Sequence, residues 1–261
     1  MIDTHCHLTY DGLHERVDRV VADALAAGVD RMISVGTSPA DARKAVALAQ
    51  RFEGVYATVG LHPHYAADWP NVTTLVEALS DLIGQPKVVA LGEMGLDKHY
   101  PDPPISVQRA VFTAQLELAG KFPDLPIIIH NREATNDTLA MIADSGLPGE
   151  RFVFHCFTGT PDEVEKILAI GAMVSFTGIV TFKNARAIAE ASDLVPLDRL
   201  MIETDSPYLA PEPYRKVRPN EPKLVVHVAE FLARRRGMVA GDFVSAVDVN
   251  AERFFSLGRG L

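Results

Sequence analysis

The chain has 261 residues, 48% of them hydrophobic and 23% charged, with a formal charge of −9 and two cysteines, Cys6 and Cys156. No apolar run approaches the ~18 residues of a bilayer span. The start lacks the basic-then-apolar layout of a signal peptide, and two cysteines do not make a disulfide framework, so a cytoplasmic protein is expected. The acidic balance excludes a protein that coats nucleic acid through a broad basic surface, but not an enzyme that grips a few phosphates locally with the help of bound cations.

The first predicted element contains "DTHCH". On an extended strand, residues two apart share a face. His5 and His7 would then look into one space with Asp3 deeper on the same face, while Cys6 turns away. From there a pattern repeats: a short apolar run, then a segment with helical spacing. "RMISVG" precedes "SPADARKAVALAQRF", with Ser38 as N-cap and Pro39 at the first helical position. "GVYATVG" precedes "NVTTLVEALSDLIG", "KVVALGE" precedes "PISVQRAVFTAQLELAGKF", and "LPIIIH" precedes "EATNDTLAMIADSG". "RFVFHCF" leads to "TPDEVEKILAIG", with Thr160 as N-cap. "AMVSFTG" leads to "KNARAIAEAS", and "RLMIETD" leads through a proline-rich loop to "PKLVVHVAEFLARRRG".

With the opening strand this makes about eight strand-plus-helix units, which favours a closed (β/α)8 TIM barrel of the α/β class. An open doubly wound sheet is the alternative, but its glycine-rich dinucleotide fingerprint is missing after the first strand. "AGDFVSAVDVNAERFF" predicts one or two extra helices over about 240–256. Without a low-complexity linker or a solenoid-length repeat, one domain over 1–261 is expected.

Chemistry in such a barrel sits at the C-terminal ends of the strands. His5 and His7 close the first run, Glu93 closes "VVALGE", His130 "PIIIH", His155 "RFVFH" and Asp205 "LMIETD". Each has an ordinary structural reading, as a polar residue at a loop start or a turn initiator. Together, six such residues on five strands would meet around one opening. Four imidazoles and two carboxylates exceed the needs of one tetrahedral ion and suit a pair of divalent ions bridged by a carboxylate, for which Glu93 is the natural candidate. Such ions lower the pKa of bound water toward ~7, and Asp205 is placed to take its proton. Hydrolysis is the expected reaction, with no organic cofactor.

"DTHCHL", "VGLHPH", "GEMGLD", "IIIHNR", "HCFTG" and "ETDSPYLAP" occur in the order and spacing of TatD-type metal-dependent deoxyribonucleases, in the wider amidohydrolase-like superfamily, and the chain resembles that family from Ile2 to about Phe255. The resemblance implies that His5, His7, Glu93, His130, His155 and Asp205 hold one or two divalent ions (Mg, Mn or Zn). It also implies phosphodiester hydrolysis, with Asp205 and Glu93 in the catalytic roles and DNA, single-stranded or at its ends, as partner. Many relatives carry an aromatic after the Asp of "GLD", where this chain has Lys98.

Further residues have two readings each. His62 contacts a substrate phosphate or is merely stiffened by Pro63. Arg132 pairs with a phosphate through its fork or is a surface residue. Glu203, and likewise Asp3, orients a ligand histidine from behind or is a buried structural carboxylate. Asp97 is expected to be structural. Arg215, Lys216 and Arg218 in "PYRKVRPNEP" touch a nucleic-acid backbone or form a solvated loop, and both cysteines are expected to pack away from the chemistry. The same water and ions would serve an ester, lactone or amide substrate, including an aminoacyl-tRNA ester. A metal-free binding or scaffold protein on a degenerate barrel is the reading from another class. The sequence leaves the oligomeric state open, a monomer included.

Overall fold

Each apolar run closes as a parallel strand and each amphipathic segment as a helix outside it in the computed structural model, which describes residues 1–258. The strands are β1 (Ile2–Cys6), β2 (Arg31–Ser34), β3 (Val55–Val59), β4 (Val88–Asp97), β5 (Ile127–Arg132), β6 (Phe152–Phe154), β7 (Met173–Phe176) and β8 (Leu200–Ile202). They hydrogen-bond in that order in one eight-stranded sheet. The ring closes between its first and last strands: Asp205 N–H donates to the His5 carbonyl (2.9 Å) and His7 N–H to the Ser206 carbonyl (2.8 Å). The architecture is a (β/α)8 TIM barrel.

The helices are α1 (Val17–Ala26), α2 (Pro39–Arg51), α3 (Val72–Ile83), α4 (Ile105–Gly120), α5 (Thr135–Ser145), α6 (Pro161–Ala169), α7 (Arg186–Leu194), α8 (Val225–Arg235) and α9 (Ala240–Phe255). Ser38 caps α2 by accepting from Asp41 N–H, and Thr160 opens α6 with a reciprocal capping box with Glu163. The segment expected to form one or two terminal helices is the single helix α9. Its Ala251 and Phe255, with Leu257 just beyond it, pack on Ile33, Ile128, Val153 and Met201 inside the barrel. Asp248 accepts from Ile2 N–H (2.9 Å), and Asn250 Nδ2 donates to the Leu200 carbonyl (2.9 Å). These contacts lie at the starts of β1 and β8, so α9 plugs the N-terminal end and leaves the other end open. No helix among the described residues is long and apolar enough to cross a membrane.

Three local departures from simple strand reasoning bear on the site. Alternation in β1 slips once: Ile2 packs with the barrel-filling residues and the Thr4 hydroxyl reaches Glu203 (3.4 Å), yet His5 and His7 aim into the mouth. The register with β2 is irregular between Asp3 and Cys6, where the parity changes. Asp3 therefore does not lie behind the two histidines. The second departure is that β4 continues four residues past Glu93, to Asp97, and β5 two past His130, to Arg132. The third is that Cys156 takes a left-handed φ of 45° and lines the cavity at the mouth, whereas Cys6 is buried as expected.

Candidate metal centre and its cavity

At the open end a cavity of about 1120 Å³ reaches down to His7, Glu93, His130, His155 and Asp205, with His62 and Arg132 also on its wall. Glu93 is the hub. Its Oε1 lies 2.8 Å from His155 Nε2, 2.9 Å from His130 Nδ1 and 3.5 Å from His62 Nε2, and its Oε2 lies 3.4 Å from His5 Nε2. Asp205, across the mouth, places Oδ1 3.2 Å from His7 Nε2 and 3.7 Å from His5 Nε2. The His5 ring stacks on His155 with centroids 3.9 Å apart. The six residues singled out at the strand ends are thus neighbours in space.

These positions depend on close backbone packing. A Cβ on Gly60 would lie 2.5 Å from the Gly92 backbone, and one on Gly95 2.0 Å from the His130 carbonyl oxygen. Only glycines let β3, β4 and β5 approach closely enough to bring His62, Glu93 and His130 together. Two buried glutamines of α4 fix the loops above. Gln115 bonds both the N–H and the carbonyl of Leu61 (2.7 and 3.0 Å), next to His62. Gln108 does the same for Asp97 (both 2.8 Å).

Behind the rings stand two carboxylates, Glu203 and Asp97. Glu203 Oε1 accepts from Cys156 N–H (2.7 Å) and lies 3.3 Å from His155 Nδ1, and its Oε2 accepts from the Ser175 hydroxyl (2.5 Å). Asp97 Oδ2 lies 3.0 Å from both His130 Nε2 and His64 Nε2, a contact that gives this residue a place in the site the sequence reading did not assign. Burial pushes the Asp97 carboxyl up, but the imidazoles of His130 and His64 outweigh it and hold the group below the usual carboxylate range. Asp3 instead accepts from the Thr204 hydroxyl (2.6 Å), Thr204 N–H (2.9 Å) and His5 N–H (3.4 Å), so its bonds join the β1 and β8 sides of the ring rather than an imidazole. Burial raises its pKa to about 8.

The donor set fits a divalent cation. His5 is fully buried, yet neither of its ring nitrogens has a hydrogen-bond partner, and His7 Nδ1 is likewise unpaired. Buried polar atoms left so are rare and costly unless something else satisfies them. Single ligand atoms of His5, His7 and Glu93, and of His62, Glu93 and His130, lie within 4.8 Å of one another, as do those of His5, His155 and Glu203. His62, assigned on sequence to substrate, sits inside one of these groups. Burial drives Glu93 upward, but the surrounding histidines, His155 and His62 foremost, hold it well below the usual range. It is a charged carboxylate among imidazoles, and both are ligand types that divalent ions accept.

Arg132 lies with its guanidinium 5.3 Å from the Tyr100 ring centre. Arg215, Lys216 and Arg218 line a separate recess beside Glu212 and Pro213, and none of the three lines the cavity of the centre. Arg215 stacks over Phe182 at 4.1 Å.

The profile of TatD related DNase matches residues 2–256. A Bacillus subtilis metal-dependent hydrolase, YabD, is 37% identical over 98% of this chain and 99% of its own. The 3'-5' ssDNA/RNA exonuclease TatD of Citrobacter rodentium is 36% identical over 98% of both. Among solved structures, the TatD homologue YJJV of Escherichia coli superposes with a TM-score of 0.91 at 28% identity, over 98% of both chains. The chain belongs to the TatD family of metal-dependent hydrolases.

Proposed function

We propose that the protein hydrolyses phosphodiester bonds of DNA, with His5, His7, Glu93, His130, His155 and Asp205 holding one or two divalent ions (Mg, Mn or Zn). The observation that carries the reading is the arrangement around Glu93. Its two oxygens face different histidines, His130 and His155 on one side and His5 on the other. That arrangement supports a bridging carboxylate. When bound, the ions polarise a phosphoryl oxygen and supply hydroxide at neutral pH.

The remaining work falls to the chain. The Asp205 side chain is 14% exposed against 3% for Glu93, so Asp205 is the carboxylate open to the cavity and the one placed to accept a water proton. Burial raises it, but His7, His5 and His155 hold its carboxyl below the usual range, so it is ionised at neutral pH. His62 and Arg132, on the wall, contact phosphate oxygens; the Arg132 fork matches two of them at once. Glu203 holds His155, and Asp97 holds His130, each through the ring nitrogen turned away from Glu93.

Elemental analysis joined to a nuclease assay across Mg, Mn and Zn tests the reading. The expected result is up to two ions per chain and cleavage of single-stranded DNA that stops on chelation. Asp205→Asn should lose roughly 10²–10⁴-fold in rate with metal still bound. Near-normal turnover in that variant would remove Asp205 from the base role.

A further inference from the structure

Three tyrosines are placed around the candidate centre by one repeated device. Tyr65, Tyr100 and Tyr208 each follow a residue of the site by three positions: His62, Asp97 and Asp205. Each turns its backbone N–H back onto that residue. Tyr65 donates to the His62 carbonyl (3.0 Å), Tyr100 to Asp97 Oδ1 (3.3 Å) and Tyr208 to the Asp205 carbonyl (3.0 Å). The turns come after three different strands, β3, β4 and β8, so the rings stand at separate points of one rim. All three line the cavity that holds the cluster. They are also 39%, 47% and 53% exposed, so part of each residue is open to a ligand.

We propose that Tyr65, Tyr100 and Tyr208 form a base-binding rim on which unpaired bases of a single-stranded nucleic acid stack while its phosphodiester sits over the His/carboxylate cluster. The inference rests on the nuclease reading above and adds the part of the substrate that the cluster does not touch. A π-face is common to every base but is hidden inside a duplex stack, so exposed aromatic rings select for unpaired strands without reading sequence. The rim is held ready. Asn220, fully buried, donates from Nδ2 to the Tyr208 carbonyl (2.5 Å) and the Thr204 carbonyl (3.1 Å), which fixes the loop carrying Tyr208. Tyr100 lies edge-on to His64 at 5.2 Å and under Arg132, leaving part of its surface free. A rim fixed before binding loses little conformational entropy when a base docks.

The test compares kcat/KM of the metal-loaded enzyme on a short single-stranded oligonucleotide and on an abasic strand of the same length. Tyr65→Ala, Tyr100→Ala and Tyr208→Ala should each lower the ratio of the two by about 5- to 150-fold, the range for loss of one stacked base. The corresponding Phe variants should restore the ratio, because they keep the ring and lose only the hydroxyl. A merely structural role lowers both rates together and leaves the ratio unchanged in all three Ala variants, which would overturn the rim. A wild-type ratio near one would overturn it as well. Metal-loaded wild-type protein that cleaves neither strand would instead overturn the nuclease reading on which the rim depends.

Discussion

Asp97 shares one carboxylate oxygen between two imidazoles, His130 and His64, while its other oxygen accepts from the N–H groups of His99 (2.9 Å) and Tyr100 (3.3 Å). The His130 ring is thereby pinned with Nδ1 toward Glu93, and its basicity is raised by an anion at the far nitrogen. Asp97→Asn keeps the size and an acceptor but removes the charge. It is expected to cost about 10–100-fold in metal affinity or activity, read by calorimetric metal titration beside the turnover rate; wild-type affinity with wild-type turnover would leave Asp97 a purely structural residue. The residues of the cluster were legible because each is a His, Glu or Asp at the end of an apolar run, where a barrel puts chemistry. Asp97 was not, because Gly92 and Gly95 interrupt the apolar run at "GEMGLD" and make the strand seem to stop at Glu93. Cys156 and Asp3 were misplaced for a related reason. Alternation assumes regular strand geometry, and a left-handed residue or a register slip reverses it locally.

At the scale of elements, the same glycines govern how β4 carries the centre. Gly95 has a φ of 147°, and a Cβ there would sit 2.0 Å from the His130 carbonyl oxygen, a backbone atom that cannot swing aside. Gly95→Ala therefore must push β4 and β5 apart where they bring Glu93 and His130 together. Strained backbone of this kind costs of order 1–3 kcal/mol, or roughly 2–10 °C in melting temperature for a chain of this size. Because the displaced strand carries a candidate ligand, metal affinity should fall along with stability. A variant that melts lower but binds metal as tightly as wild type would show that the strands relax elsewhere. The strand-helix alternation was readable from periodicity and caps throughout. What periodicity does not carry is the contact between elements: the pairing of Gln108 and Gln115 with the backbone of Asp97 and Leu61 joins residues 11 and 54 positions apart.

Over the whole molecule, α9 seals the N-terminal end of the barrel and the candidate centre lies at the other, on a chain of net charge −9. Among the described residues the cavity wall has a single arginine, Arg132, and no lysine, and the basic loop residues Arg215, Lys216 and Arg218 line a different recess. A nucleic acid held in this cavity would then depend on the ions and the aromatic rim far more than on release of counterions by lysines and arginines. Each phosphate neutralised on a single strand steepens log K against log[salt] by about 0.7. With Arg132 as the one arginine or lysine among the described residues of the wall, the slope for a short cleavage-resistant oligonucleotide at fixed divalent concentration should lie near about −0.7, and Arg132→Ala should bring it toward zero. The basic loop provides the contrast. If it also tracks the strand, the four cations together would bring the slope to about −3, replacing Arg215, Lys216 and Arg218 by alanine would return it to about −0.7, and Arg132→Ala alone would leave it near about −2. Salt titrations of these two variants and the wild type therefore decide whether the acidic barrel grips its substrate only inside the cavity or also along the loop beside it.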